Sequence, residues 1–458
     1  MKLPFRKSSG SPASGTETAA DKADAEVLDR VASALSGEDE GPRLPDNDLS
    51  EGPVDLNEVA DEVIAADAGA EAAPAMAKSA ASPMANGQPL RADALRQSVR
   101  VLWQDWRPLR PFALATLGPV PILILGAYLG GIFALLAFLT MTALVYALDH
   151  VLNLPSPPPA QEADLARAEK LTVALGLTHF VLLIIAVHAL SGGGGLGLLG
   201  WLATFIAFGL WFGQVSNSVA HELIHRTDKR QFNLGMAVFT SLLFGHHTSA
   251  HRLIHHRFVA STDDPNTAAA GETFYAFLPR AWWEAFIAGY EMEAGMRSER
   301  SKEKLFDLHP YAIYIGGALA TMIVVTVAFG GFGLLVLLAL AGYAQLQLHL
   351  SDYVQHYGLL RQKDRDGHLE PVGPQHSWNA PHPASAFMML NSPRHSDHHY
   401  HPARPFPTLD LPPKDVAPRL PYSLPVMGAI ALVPGLWFRI MDARLGALRP
   451  DRWSRPIT

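Results

Sequence analysis

The sequence predicts an all-α integral membrane protein, with six transmembrane helices above a cytoplasmic helical domain rich in histidine. Three observations carry this reading. Hydrophobic residues make up 49% of the 458 and charged residues 17%, where about 25% charged is usual for soluble domains. Six apolar runs, at 111–129, 131–148, 171–190, 197–216, 310–328 and 332–350, are each near the roughly 20 residues a helix needs to cross a bilayer. The chain has twenty histidines and no cysteine, and the histidines cluster in the segments that follow the fourth and sixth runs.

Taken in order, residues 1–94 form an acidic, Ala-rich tail. Residues 1–90 hold seven Lys and Arg against seventeen Asp and Glu and few aromatics. Such a segment cannot bury enough apolar surface to offset its ordering entropy, so it is expected to be a disordered cytoplasmic extension. The first residues, MKLPFRKSSGSPASG, lack an apolar stretch, so no cleaved secretory signal is expected. Arg91, Arg96, Arg100, Arg107 and Arg110 surround Trp103 and Trp106, the composition of an interfacial anchor at a membrane entry. The six spans and their cytoplasmic parts, 217–309 and 351–450, make one domain over 95–450. Residues 451–458 are a short tail.

The gaps set the topology. The links at 129–131, 191–196 and 329–332 are short, glycine-rich and uncharged, whereas 149–170, 217–309 and everything after 350 carry the charged residues. The runs therefore pair into three hairpins with all charged material on one face. Lys and Arg near the helix ends make that face cytoplasmic, which places the chain as a multi-pass protein of the cell inner membrane with both termini inside. The last apolar piece, 423–440, contains Pro425 and Pro434 and is expected to lie at the interface or to pack on the cytoplasmic domain rather than to form a seventh span. A soluble helical bundle would have to bury six unbroken apolar runs in water.

The chemistry lies in the histidines. They occur as His221-Glu-Leu-Ile-His225, His251-Arg-Leu-Ile-His255-His256 and His395-Ser-Asp-His398-His399, with His356 in Asp352-Tyr-Val-Gln-His-Tyr-Gly358. On a helix, residues at i, i+3 and i+4 share a face, so each cluster is expected to aim its imidazoles at one point. If the fourth and sixth helices continue past the membrane, His221 and His356 reach similar depths, about 9 Å below its edge. Taken alone, the first cluster also reads as a zinc peptidase, with Glu222 as general base. That reading uses two histidines and leaves seven idle. One zinc takes three or four protein ligands, so nine histidines suggest two metal ions, and imidazole suits zinc, copper, iron or nickel. A metal transporter would place ionisable ligands within the spans, and these lie below them.

The boxes HELIHR, HRLIHHRFVAS-TDDP, DYVQHYGLLR and RHSDHHYHP resemble those of the integral-membrane di-iron alkane 1-monooxygenases and of their relatives, the xylene and alkylbenzene hydroxylases. The ending Leu424-Pro-Val-Met through Leu432-Val-Pro-Gly-Leu-Trp-Phe-Arg-Ile-Met-Asp442 is similar too, and the likeness covers about 95–450. It implies that His221, His225, His251, His255, His256, His356, His395, His398 and His399 ligate two iron ions. The HYG box separates this family from the fatty-acid desaturases, which also carry three histidine boxes. Ala250 and Ile254 stand where the family usually has Glu and Gly, and Ser392-Pro393-Arg394 and Asp352-Tyr353-Val354-Gln355 also depart from its pattern. All nine ligand positions are kept.

The resemblance implies that one oxygen atom of O2 enters a terminal C–H bond of an n-alkane, giving a primary alcohol. The alternatives are alkyl-aromatic methyl hydroxylation and, more remotely, fatty-acid desaturation or hydroxylation. An apolar substrate concentrated in the bilayer would reach the metals through a channel between the helices. Glu222, Asp264 and Asp397 are expected to orient imidazole N–H groups, and a direct ligand role is open to Glu222 and Asp397. With no cysteine for an iron–sulfur centre of its own, the chain needs an electron donor. The resemblance implies a rubredoxin or ferredoxin with its NAD(P)H reductase, and Arg226, Lys229, Arg230, Arg252 and Arg257 are candidates for docking that acidic partner. Membrane lipid is a further partner, and no nucleic acid is expected.

Overall fold

The computed structural model describes residues 106–152, 160–300 and 308–448, apart from the side chains of residues 163, 299 and 300. The acidic tail, the end of the chain and the anchor residues before Trp106 lie outside these. In chain order the elements that position the site are α1 (Arg110–Leu129), α2 (Gly131–His150), α3 (Leu165–Gly193), α4 (Leu198–Ile224), α5 (Lys229–Ser241), α6 (247–258), α7 (Phe274–Arg300), α8 (Pro310–His356), α9 (His395–Tyr400), α10 (Leu424–Ala431) and α11 (Pro434–Leu448). The described residues form two isolated β-bridges and no extended strand.

Among the described residues five helices, α1 to α4 and α8, are long and apolar enough to cross a membrane, where six were expected. The difference lies in α8, a run of 47 residues interrupted by Gly330 at φ 72°, ψ −175°. Its two halves meet the same neighbour. A methyl added at Gly317 would sit 2.6 Å from Thr240 Cγ2, and Gln345 Nε2 donates to the Leu242 carbonyl at 2.8 Å. In a straight helix residues 317 and 345 would be about 42 Å apart, yet Thr240 and Leu242 are two residues apart. The run therefore folds back at Gly330 and supplies both the fifth and the sixth predicted segments. Gly130 (φ 58°) and Gly192 (φ 117°) lie at the other two short links, so all three turn through backbone angles that suit glycine.

The helices are apolar on their outer faces as well. Leu199 and Val327 are exposed by 82% and 83%, and Leu198, Ile323 and Val324 are exposed too. A band of this kind is unfavourable in water and natural in lipid, and the protein is a membrane protein. Inside, Gly126 lets α1 and α2 approach until an added methyl would lie 3.2 Å from Ala134 Cα. Trp211 Nε1 donates to the Thr116 carbonyl at 3.0 Å, tying α4 to α1.

α4 and α8 both run past their apolar stretches to carry His221 and His356. Around the end of α8, Tyr353, Tyr357, Trp378, Met427, Trp437 and Met441 form a buried cluster. Tyr357 Oη donates to Asp442 at 2.8 Å, and Trp378 Nε1 donates to the Tyr357 carbonyl at 2.9 Å. The final apolar piece is thus two short helices, α10 and α11, packed on this cluster.

Candidate metal centre and its cavity

All nine box histidines come together, in two groups. His221, His225, His251, His256 and His398 form one, and His255, His356, His395 and His399 the other; within each, the nitrogens lie within 4.8 Å of one another. Seven of the nine are buried, and His221 and His256 are partly exposed.

The division between groups departs from the helical spacing expected. His221 and His225 stay together, but His251 and His255 do not. Residues Ala250–His255 form a π-helical turn, in which i and i+5 rather than i+4 superpose. His251 therefore meets His256, with Nε2 atoms 2.9 Å apart, and His255 is sent to the second group. In α9, His395 and His399 pair at 3.0 Å, while His398 turns to the first group and meets His256 at 3.1 Å. Each adjacent pair, His255-His256 and His398-His399, thus gives one imidazole to each group.

These arrangements fit metal ions. In the first group Nε2 of His251 lies 3.1 Å from that of His225 and 2.9 Å from that of His256. In the second, Nε2 of His395 lies 2.9 Å from that of His356 and 3.0 Å from that of His399. A nitrogen flanked by two others carries at most one proton, so proton sharing alone satisfies such a ring poorly. Cis ligands each ~2.1 Å from one ion would be spaced about 3 Å apart, which matches. Burial first, then neighbouring imidazoles, hold His225, His251, His256, His395, His398 and His399 well below the usual histidine pKa, so they offer lone pairs at neutral pH.

His255 differs. Burial opposes its charged form, but the charge and hydrogen bond of Asp264, with Asp352 further off, raise its pKa. Its Nδ1–H donates to Asp264 Oδ2 at 2.8 Å, and its Nε2 is buried without a hydrogen bond, so a metal ion there would take the place of the second proton that the raised pKa favours. Asp264 is itself fixed by Thr267 Oγ1 at 2.7 Å and by the backbone N–H of Asn266 at 3.0 Å. Asn266 Nδ2 in turn donates to Asp352 at 2.6 Å, joining this loop to α8.

The other two acids lie elsewhere. Glu222 pairs with Arg226 and accepts from the Phe406 backbone N–H at 3.0 Å. Asp397 accepts two bonds from Arg404 at 2.7 Å, one from His401 at 2.9 Å and one from the Asp410 backbone N–H at 2.8 Å. Neither touches a box imidazole. Both tie the loop 401–410 over the histidines, because nearby arginines and backbone N–H groups compete for them.

Between α4, the second half of α8 and α10 lies a cavity of about 230 Å³, lined by Leu210, Tyr343, Leu346, Leu424 and Leu432 among others and reaching His221, His251 and His395. It therefore touches both groups. His247 also lines it, its ring 5.2 Å from that of His251. Sequence reasoning passed over this residue, although it stands four positions before His251.

Fold and site together define a membrane protein with a histidine-walled metal centre at the base of an apolar cavity. The profile of the fatty acid desaturase family matches residues 196–431. An alkane 1-monooxygenase of Ectopseudomonas oleovorans is 33% identical over 72% of this chain and 84% of its own length. Alkane 1-monooxygenase 1 of Pseudomonas aeruginosa is 32% identical over 56% of this chain, a match that spans 65% of that relative. A xylene/toluene monooxygenase hydroxylase component of Pseudomonas putida is 26% identical over 69% of this chain and 84% of its own length. The chain belongs to the alkane 1-monooxygenase family.

Proposed function

We propose that this protein hydroxylates the terminal carbon of an n-alkane with O2, and that the nine box histidines hold two iron ions for that purpose. The observation that carries the proposal is the contact of one cavity, with Leu210, Leu346, Leu424 and Leu432 in its wall, with both imidazole groups. The metals supply O2 activation: one oxygen atom enters the C–H bond and the other leaves as water, at the expense of two electrons and two protons. The chain's residues do the rest. Leu210, Leu346, Leu424 and Leu432 exclude water and guide a methyl group inward. Asp264 holds the His255 ring with Nε2 facing its group. Glu222 and Asp397 keep the 401–410 loop closed over the histidines.

Electrons come from a separate redox protein, a rubredoxin with its NAD(P)H reductase in this reading. His256 is partly exposed, Arg257 next to it is exposed, and Lys229 and Arg230, four and five residues after His225, are exposed too, which suits an acidic donor. Arg226 and Arg252 contribute less directly, since Arg226 pairs with Glu222 and Arg252 lies over the Phe232 ring at 5.2 Å. The charged face, and with it the metal centre, lies on the cytoplasmic side of the inner membrane.

The test is metal analysis of the purified chain, followed by turnover with rubredoxin, reductase and NADH on octane, hexadecane and xylene. Two irons per chain and a primary alcohol from an alkane are expected. One zinc per chain, or a double bond formed in an acyl chain, would overturn the reading. Preference for xylene would move the substrate to the alkyl-aromatic class.

A further inference from the structure

α7 has apolar residues on two sides. Phe274, Phe277, Ala281, Ala285 and Gly289 recur every three or four residues and are buried against the protein. A second stripe, Ala276, Pro279, Trp283, Ile287, Tyr290 and Ala294, keeps the same helical rhythm. Of these Ala276, Pro279, Trp283 and Tyr290 are exposed, and Ile287 and Ala294 partly so. Arg280, Glu284, Glu291 and Ser298 run alongside it at spacings of four and seven. An exposed apolar stripe beside a charged one is the pattern of a helix that lies in the plane of a membrane interface, where Trp and Tyr concentrate.

The contacts with α8 set the level of α7. Trp282 Nε1 donates to Gln345 Oε1 at 3.0 Å. Gln345 stands five residues before Leu350, the end of the apolar run, which is about 7.5 Å along the helix axis. Three residues beyond that end, the Tyr353 ring meets those of Phe274 and Phe277 at 5.6 and 5.4 Å. Further along, α7 meets the first turn of α8. Tyr311 Oη donates to the Phe286 carbonyl at 2.8 Å, and the Tyr290 and Tyr311 rings lie 5.4 Å apart. α7 therefore passes the ends of both membrane segments of α8, at the edge of the bilayer. Its stripe is continuous with the apolar outer surface there: Ile313 and Ile315 are exposed just past Tyr311. At the other end Tyr275 Oη donates to the carbonyl of Leu432 at 2.7 Å, and Leu432 and Val433 are exposed too.

We propose that α7 is seated in the phospholipid interface on the histidine-bearing side of the membrane, with Trp283 and Tyr290 sunk roughly 5–10 Å into the boundary between headgroups and acyl chains. The opposite side of the helix supports the second histidine box. Ser249 Oγ donates to Glu293 at 2.6 Å, and a methyl added at Gly289 would lie 3.2 Å from the backbone nitrogen of Ala250, where the π turn begins. One helix thus has lipid on one face and the turn that carries His251 and His255 on the other.

The chain has no cysteine, so single introduced cysteines can be spin-labelled without background. The full chain is reconstituted in vesicles of phosphatidylethanolamine and phosphatidylglycerol, with the label placed in turn at Ala276, Trp283, Ile287 and Tyr290, and at Glu284, Glu291 and Ser298. Collision with O2, which partitions into lipid, is compared with collision with a water-soluble nickel chelate. The ratio of O2 to nickel accessibility should be severalfold higher on the stripe than at the charged positions, with Val327 in the exposed apolar band as the lipid reference. A stripe as open to nickel as the charged positions puts α7 in water and overturns the proposal. A stripe shielded from both reagents means that a second copy or another protein covers it, and overturns the proposal equally. A further measurement needs no label. In vesicles whose acyl chains are brominated close to the headgroup, part of the tryptophan fluorescence should be quenched, and Trp283→Phe should remove a share of that quenching. Quenching that Trp283→Phe leaves unchanged would contradict the seat in lipid.

Discussion

At the residue scale, the contact between Asp264 and His255 is the most exposed to test. A carboxylate that orients a ligating imidazole is worth about 10- to 100-fold in metal affinity. Asp264→Asn should therefore lower retained metal, read by metal analysis after dialysis against a weak chelator, while Asp263→Asn, one residue away, should not. Protonation gives a second test. Six box histidines are held neutral by burial, so the unfolded chain takes up protons near pH 6.5 that the folded chain refuses. Stability is then full above about pH 6.5 and falls as the pH drops below it. His255, with its raised pKa, works the other way: its contribution is present below pH 6.5 and lost as the pH rises. Six against one leaves the acid side destabilised. The thermal midpoint of the metal-free protein should be several degrees lower at pH 5.5 than at pH 8, and a flat profile would contradict the burial of neutral imidazoles.

At the element scale, two irregularities shape the site. The π turn at Ala250–His255 is what lets His251 face His256. Inserting an alanine after Leu253 should put His251 and His256 six residues apart, a spacing that neither an α nor a π turn superposes, and the metal retained per chain should fall. Unchanged metal content would mean that the turn does not set the ligand register. The second irregularity is Gly330, whose φ of 72° and ψ of −175° fall in a region nearly closed to other residues. Gly330→Ala should cost about 1–3 kcal/mol, visible as a lower unfolding midpoint in detergent. Gly331→Ala is a fair comparison, since an added methyl there meets nothing within 4 Å and its backbone is outside the left-handed region.

At the scale of the whole molecule, the cavity reaches His221, His251 and His395, and a separate set of exposed basic residues stands beside the boxes in sequence, Lys229 and Arg230 after His225 and Arg257 after His256. The separation suits a reaction whose substrate comes from lipid and whose electrons come from water. Reversing charge at Lys229 and Arg230 should raise the KM for the electron donor severalfold at low ionic strength, with the effect shrinking as salt screens it. Donor kinetics unchanged at low salt would remove these residues from the docking surface.

The sequence by itself determined the helical membrane class and roughly where the apolar segments lie, although α3 and α4 run on to Leu165–Gly193 and Leu198–Ile224, and it marked the nine histidines that come together. Apolar run length and residue identity are local properties, and a bilayer translates them directly into helices. Only the tertiary structure decided how the histidines divide. Their grouping depends on a π turn at Ala250–His255 and on the crossing of α4, α6, α8 and α9, and neither is written in an i, i+4 count. It also decided that Glu222 and Asp397 serve a loop rather than an imidazole, because Arg226, Arg404 and backbone N–H groups distant in the chain claim them first. The cavity belongs to the same class. No stretch of sequence marks it; it exists only where α4, the second half of α8 and α10 meet.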